Sequence, residues 1–181
     1  MKKILIIKGS DRRDGYTNKF CKEIEDFYKD EEVIIFDTFN EKFAFCNGCN
    51  YCEKNGKCIN RDLDGFFKEF ESTDIIFFTS PVYNGTFSAP VKSLIDRFQV
   101  YYTSFYANGK VQKIEKRRKA YLFVCAGRDG KVCFEYMKTQ LKFAFSILNI
   151  EFKDAFLCSN TDTQSNYEDV LSDIKRSLSD E

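Results

Sequence analysis

Histidine and tryptophan are absent from the 181 residues, and proline occurs only twice. Without histidine the chain has no Ser–His–Asp or Cys–His catalytic site, no histidine zinc ligand and no histidine proton shuttle. Lysine plus arginine (28) equals aspartate plus glutamate (28), so no net charge attracts the chain to nucleic acid or to an anionic membrane. Any chemistry must therefore come from a cofactor, a thiolate, a carboxylate or an amine.

Long apolar runs are also lacking, since none approaches the roughly 20 residues that cross a membrane. Two lysines and a short apolar run begin the chain, but Lys8 ends this run before a Gly-Ser turn, which favours a first strand over a signal peptide. We expect a cytoplasmic protein in a reducing compartment. There the eight cysteines are more often thiols or metal ligands than disulfides.

Short apolar runs alternate with helical patterns along the chain. Runs that are apolar at consecutive positions are typical of a parallel sheet covered on both faces, and four occur, at 4–7, 33–36, 75–79 and 121–125. A run that charged residues interrupt, at 151–157, is the fifth predicted strand. Apolar residues at helical spacing predict helices over 18–29, 89–98, 132–148 and 167–178.

This alternation predicts a doubly wound α/β domain. Polar loops after the first, third and fourth strands favour the flavodoxin-like strand order 2-1-3-4-5, in which ligands bind beyond the carboxyl ends of the strands. We expect residues 1–181 to form one such domain, with a cysteine-rich insertion between strands 2 and 3.

The loop after the first strand carries groups that suit a phosphate. It opens a helix, and loop amides beside a helix N-terminus form an anion site. Gly9 and Gly15 permit tight turns, and the side chains that could contact phosphate are Ser10, Arg12, Arg13, Thr17 and Asn18. The segment is neither a dinucleotide-binding Gly-x-Gly-x-x-Gly loop nor a Walker loop. The alternative interpretation is an ordinary polar strand-to-helix turn.

The loop after the third strand, residues 80–90, has the sequence Ser-Pro-Val-Tyr-Asn-Gly-Thr-Phe-Ser-Ala-Pro. Tyr83 offers a ring that could stack on a planar ligand, and Asn84 and Gly85 offer backbone N–H groups beside it. The alternative is a helix start with a packed tyrosine, in which Ser88 is the N-cap and Pro90 lies in the first turn.

Together, the two loops resemble those of the flavodoxin-like NAD(P)H-dependent FMN reductases. The first carries Gly-Ser-x-Arg-x-x-Gly-x-Thr-Asn from Gly9. The second carries Ser-Pro-Val-Tyr-x-Gly from Ser80, followed by Ser-Ala-Pro, Lys92 and the pair Asp96-Arg97. The resemblance extends from the first strand to the helix after Cys125.

The resemblance implies the cofactor FMN and a set of contacts for it. The FMN phosphate would be held by Ser10, Arg12, Tyr16, Thr17 and Asn18. The isoalloxazine ring would be lined by Pro81, Val82, Tyr83, Asn84 and Gly85, and the loop with Gly127 and Arg128 would close its other edge. Many relatives carry an aromatic residue where this chain has Asn84. Relatives are commonly dimers or tetramers, so we expect a homodimer or homotetramer.

Four cysteines with the spacing C-x2-C-x2-C-x5-C lie in one short segment, at Cys46, Cys49, Cys52 and Cys58. Zinc usually takes two separated cysteine pairs, whereas three cysteines at this close spacing favour a 4Fe–4S cluster. The pattern also resembles the motif of the iron–sulfur flavoproteins, a branch of the same family. Metal-free thiols, a redox disulfide and zinc are the alternatives.

The other cysteines, Cys21, Cys125, Cys133 and Cys158, are predicted to be buried small apolar side chains. Of these, Cys125 ends a strand near the proposed flavin. For two further segments the sequence predicts only where they lie in the fold. The basic run 116–119 is expected on the surface, as a solvated segment or an anion contact. The aromatic run 98–106 is expected to form core, dimer interface or a lid.

We therefore expect an FMN-dependent oxidoreductase. FMN would take reducing equivalents from NAD(P)H or a protein donor and pass them to a small-molecule or protein acceptor, with no catalytic side chain required. One alternative is an NAD(P)H:flavin or quinone reductase without a cluster. The others are a non-enzymatic FMN electron carrier and a zinc-binding interaction protein.

Overall fold

A computed structural model describes residues 1–107, 109 and 114–179. Its five strands are parallel and form one sheet in the order β2-β1-β3-β4-β5. They are β1 (Lys3–Lys8), β2 (Glu32–Asp37), β3 (Ile75–Pro81), β4 (Arg118–Cys125) and β5 (Ile150–Cys158). The predicted flavodoxin-like α/β fold and its strand order are confirmed, whereas a single domain over 1–181 stays a prediction.

Helices cover both faces of the sheet. They are α1 (Tyr16–Phe27), α2 (Tyr51–Asn55), α3 (Asp64–Ser72), α4 (Ala89–Arg97), α5 (Gln99–Ala107), α6 (Lys131–Phe145) and α7 (Tyr167–Ser179). α1 and α7 pack on one face and α3 to α6 on the other, which gives two cores. Within the described ranges, no helix is long and apolar enough to cross a membrane.

The central strands are buried on both sides, as their unbroken apolar runs predict. In β1, Leu5 and Ile7 face the core beneath α3 to α6, while Ile4 and Ile6 face the core beneath α1 and α7. This is the pattern of a parallel strand between two helical layers. The carboxyl ends of β1, β3 and β4 consequently meet at one edge of the sheet.

The aromatic run 98–106 forms α5, which the helical patterns did not include. Phe98 and Tyr101 are buried in the core, while Tyr102 and Tyr106 are half-exposed with ring centroids 4.7 Å apart. The core interpretation is therefore confirmed for the buried members.

The basic run also departs from expectation, because Arg118 is buried at the start of β4. Its guanidinium donates to the carbonyl of Phe70 at 2.7 Å and to that of Leu148, and it lies 4.8 Å from the Phe70 ring centroid. Burial lowers the pKa of Arg118 to about 10. The predicted surface position is therefore wrong for Arg118, because the two carbonyls and the ring take the place of water around its guanidinium.

Candidate functional site

The loops after β1 and β3 are held together at Gly9. The Gly9 N–H donates to Thr79 Oγ1 at 3.3 Å, and the Ser88 hydroxyl donates to the Gly9 carbonyl at 2.9 Å. A Cβ on Gly9 would lie 2.1 Å from the Thr79 carbonyl oxygen and 2.6 Å from Val91 Cγ2. Only glycine fits this approach. Ser88 is the N-cap residue of α4, as expected, but its hydroxyl joins the two loops and makes no cap bond.

A cavity of about 240 Å³ opens where these loops converge. Eight of the predicted cofactor contacts line it: Ser10, Arg12, Tyr16, Thr17, Pro81, Val82, Tyr83 and Gly127. Sequence reasoning missed five other lining residues as contacts, namely Asp14, Gly15, Cys125, Thr161 and Asp162. Thr161 and Asp162 belong to the loop after β5, which shows no ligand-binding pattern in the sequence.

One end of the cavity offers unpaired donors to an anion. α1 begins after Gly15 with no side-chain cap, and within the described part of the chain the amides of Tyr16 and Thr17 have no hydrogen-bond acceptor. Ser10 and Thr17 place buried hydroxyls there, and Ser10 Oγ accepts from the Arg12 N–H at 3.3 Å, so its own proton remains available. A helix N-terminus with free amides and hydroxyls is suited to a phosphate.

Asn18 lies beside this end but does not line the cavity. Its side-chain amide donates to the Arg12 carbonyl at 3.0 Å, and its Oδ1 is buried without a hydrogen-bond partner among the described residues. In this structure Asn18 therefore positions the loop that carries Arg12, and it is not a direct contact in the cavity.

The segment from Tyr83 to Thr86 forms a tight turn at the rim. The two residues exchange backbone hydrogen bonds of 2.9 and 3.1 Å, and Asn84 (φ 48°) and Gly85 (φ 84°) both have left-handed backbones. Asn-Gly is the favoured pair for such a turn. The Tyr83 N–H is used inside the turn. The two predicted donors, the amides of Asn84 and Gly85, have no acceptor among the described residues and lie outside the cavity lining.

The loops after β4 and β5 form the opposite wall. Three backbone bonds of 3.0–3.1 Å join them, from the amides of Asn160, Thr161 and Asp162 to the carbonyls of Arg128, Ala126 and Gly127. A Cβ on Gly127 would lie 2.3 Å from Asp162 Oδ2, so the carboxylate packs directly over the glycine. Gly127 is therefore part of the cavity wall, whereas Arg128 lies outside the cavity lining.

The four cysteines predicted as metal ligands share a separate small cavity of about 20 Å³. Cys49 is exposed and Cys46, Cys52 and Cys58 are half-exposed. Across the residues that the structure describes, no group of three or more histidine, cysteine or acidic side chains is arranged to hold a metal ion. The volume is close to that of a single water, so a cluster would require this segment to open.

A buried arginine fixes the cysteine segment to the fold. Arg97, at the end of α4, donates to the carbonyl of Ala44 at 2.6 Å, to that of Asn60 at 2.9 Å and to Asp62 Oδ1 at 2.7 Å. Asp62 Oδ2 accepts from the Ala44 N–H at 2.6 Å. Burial raises the pKa of Asp62, but the hydrogen bonds from Arg97 and Ala44 outweigh it and hold this pKa below its usual value. Arg97 appeared in the sequence motif, but its anchoring role depends on contacts distant in sequence.

The fold and the cavity beyond β1, β3 and β4 define a flavodoxin-like protein. Residues 2–151 match the family model for NADPH-dependent FMN reductase, and the chain belongs to this family. It is 34% identical over 112 residues to an iron–sulfur flavoprotein of Methanocaldococcus jannaschii, covering 60% of this chain and 58% of that protein. The chain spans about half the length of the curated relatives that it matches.

Solved structures share the fold at low sequence identity. The NAD(P)H:quinone oxidoreductase from Methanothermobacter marburgensis aligns with a TM-score of 0.68 at 14% identity, over 96% of this chain and 92% of that one. An FMN-dependent NADH-azoreductase from Bacillus anthracis, solved in complex with FMN, aligns with a TM-score of 0.65 at 17% identity, over 97% and 99%.

Proposed function

We propose that this chain binds FMN in the cavity beyond β1, β3 and β4 and acts as an oxidoreductase. The observation that carries the proposal is the convergence of the two predicted loops at Gly9 around a cavity with free amides and buried hydroxyls at one end. Membership of the NADPH-dependent FMN reductase family supports the same ligand. The electron donor is NAD(P)H or a redox protein, and the acceptor is a small molecule or a protein.

The residues present fit FMN. Its phosphate suits the amides of Tyr16 and Thr17, the buried hydroxyls of Ser10 and Thr17, and the positive charge of Arg12. Its ring suits the wall between the Tyr83 turn and Gly127, where the Tyr83 side chain is 51% exposed and free to cover a planar group. When bound, FMN supplies hydride and single-electron chemistry, and the protein positions and tunes it.

The chain's own contribution is binding, orientation and exclusion of water. Pro81 and Val82 offer an apolar strip along the wall, and the amides of Asn84 and Gly85 can donate to negative charge that develops at the rim. Asp14 and Asp162 place carboxylates at the same cavity. These two negative charges oppose anions throughout the cavity, so binding of the phosphate depends on the donors at the α1 N-terminus.

We further propose that Cys46, Cys49, Cys52 and Cys58 hold a 4Fe–4S cluster, which supplies transfer of single electrons when present. Their lining of one cavity, and the left-handed turns at Gly48, Asn50 and Gly56 that let the segment fold around a centre, support this ligand set. The narrowness of that cavity favours the second candidate, an FMN reductase with metal-free thiols. The two candidates differ in iron content.

Anaerobic purification followed by flavin and iron analysis tests both assignments. We expect one FMN per chain, four irons per chain, and bleaching of the flavin by NADH or NADPH under nitrogen. A folded, colourless protein that takes up no added FMN would overturn the proposal, while a yellow, iron-free protein would overturn only the cluster. Light scattering tests the proposed homodimer or homotetramer, and fractionation of producing cells tests the proposed cytoplasmic location.

A further inference from the structure

Cys125 and Cys158 end two neighbouring parallel strands as register partners. Adjacent strands lie about 4.8 Å apart, which falls within the range of roughly 4.4–6.8 Å between the Cα atoms of disulfide-bonded cysteines. Both side chains pack in the core beneath α1 and α7, and each thiol is a cause of the pKa shift of the other. The two sulfurs are thus placed to form a bond with little movement of the sheet.

Access from solvent distinguishes the two cysteines. Cys158 is completely buried, whereas Cys125 lines the proposed flavin cavity and retains 7% exposure. Of these two residues, a small reagent in the cavity can therefore reach Cys125 and not Cys158. Burial raises the pKa of Cys125, while the hydrogen bond from Cys125 lowers the pKa of Cys158. The pair has the arrangement of an attacking thiol with a buried resolving thiol behind it.

The other cysteines outside the four-cysteine segment lack this arrangement. Cys21 is buried with its sulfur 3.7 Å from Thr79 Oγ1, and unlike Cys125 it does not line the proposed flavin cavity. Cys133 is half-exposed on α6, contrary to the expectation of burial. These two residues serve as internal comparisons.

We propose that Cys125 and Cys158 form a reversible dithiol–disulfide centre in the wall of the flavin cavity, with a small organic disulfide as its oxidant. The chemistry of this dithiol–disulfide centre requires only the cavity and the paired strands. The position of the centre beside a flavin rests on the proposed function.

The reaction balances as a thiol–disulfide exchange. The Cys125 thiol loses its proton to water, and the resulting thiolate attacks one sulfur of the organic disulfide and expels a small thiolate, which takes up a proton. The Cys158 thiol then loses its proton as its sulfur attacks Cys125 Sγ, which breaks the mixed disulfide and expels the second small thiolate, and this thiolate takes up the second proton. The two protons lost by the protein thus leave with the two small thiols. The protein is oxidised by two electrons and the organic disulfide is reduced by two.

The test treats the purified full chain with hydroxyethyl disulfide under nitrogen, alkylates the remaining thiols and maps the tryptic peptides. We expect peptide 120–128 to be joined to peptide 154–175, with a mass lower by two hydrogens than the sum of the two reduced peptides, and dithiothreitol to separate them. Folded protein in which both peptides remain alkylated after this treatment overturns the proposal.

Two single variants test the order of attack. Cys158→Ser should accumulate hydroxyethyl thiol on Cys125, because nothing resolves the mixed disulfide, while Cys125→Ser should leave Cys158 unmodified. Cys133→Ser should still form the 120–128 to 154–175 bridge. Modification of Cys158 in folded Cys125→Ser would show that the cavity is not the route and would overturn the assigned roles. The wild-type peptide map decides the pairing even if a variant fails to fold.

A separate arm of the same experiment tests whether FMN occupies the cavity. Saturating FMN should slow the modification of Cys125 in Cys158→Ser by at least about tenfold, because the ligand occupies the space that the reagent needs. A bridge that forms equally fast with and without FMN would leave the dithiol centre in place and contradict the placement of FMN. The failure of one proposal is thereby distinguished from the failure of the other.

Discussion

The proposed flavin cavity and the cysteine segment are built in opposite ways. The cavity lies on loops attached to buried central strands, and backbone hydrogen bonds and close glycine contacts fix each of its walls. The cysteine segment has one short helix, α2, and depends on Arg97 and Asp62 for its attachment. The cavity is therefore formed before a ligand arrives, whereas the cysteine segment resembles metal sites that complete their geometry only on binding.

The largest expected effect comes from removing Arg97, the side chain that attaches the cysteine segment. Arg97→Met leaves two carbonyls without their donor and removes the charged partner of the exposed Asp62, and each lost hydrogen bond to a charged group costs about 1.5–3 kcal/mol in the free energy of unfolding. We expect iron content to fall to near zero while FMN remains bound, measured by metal analysis and flavin absorbance on folded protein. The matched control is Lys92→Met, which removes an exposed pair with Asp96 and should cost at most about 1 kcal/mol.

Retention of full iron by Arg97→Met would contradict the anchoring role. Equal loss of iron and FMN would also remove the contrast, because it would mean that the cysteine segment and the cavity form one unit.

The next effect concerns the cavity. In Gly9→Ala the new Cβ must displace the Thr79 carbonyl and Val91, so we expect a loss of about 2–3 kcal/mol in the free energy of unfolding and weakened FMN binding. Gly65→Ala in α3 is the control, because no atom lies within 4 Å of its Cβ position and alanine favours a helix by about 1 kcal/mol. Urea unfolding and flavin fluorescence give both quantities. Unchanged FMN affinity in Gly9→Ala would show that the two loops need not converge.

A smaller expected effect tests where the phosphate of FMN binds. Thr17→Val keeps the shape of the side chain but removes a buried hydroxyl beside the free amides of α1. Loss of one hydrogen bond to a charged group costs about 1.5–3 kcal/mol, which corresponds to a Kd for FMN that rises roughly 10- to 100-fold. Riboflavin, which lacks the phosphate, should show no such difference between Thr17→Val and the unchanged chain. An equal loss for riboflavin would place the phosphate elsewhere.

Sequence reasoning was strongest where the evidence was local. Consecutive apolar residues in β1, β3 and β4 predicted the sheet, and the residues directly after β1 and β3 predicted most of the cavity. The missed features depend on contacts between distant segments. Asp162 reaches the cavity by packing on Gly127, and Arg118 is buried because the carbonyls of Phe70 and Leu148 accept its hydrogen bonds. The role of Asn18 likewise follows from where the Arg12 carbonyl points.

The smallest effect comes from the loop after β5, the part of the cavity wall that the sequence did not reveal. Asp162→Asn keeps the packing over Gly127 and removes a negative charge from the cavity that we propose for an anionic cofactor. We expect the Kd for FMN to fall severalfold at low ionic strength, and the difference to shrink above about 0.15 M salt, where exposed charges are screened. Glu168→Gln, an exposed change at the start of α7, is the control for charge outside the cavity. A gain of the same size at high and low salt would assign the effect to packing instead of charge, and would place Asp162 with the positioning residues of the cavity wall.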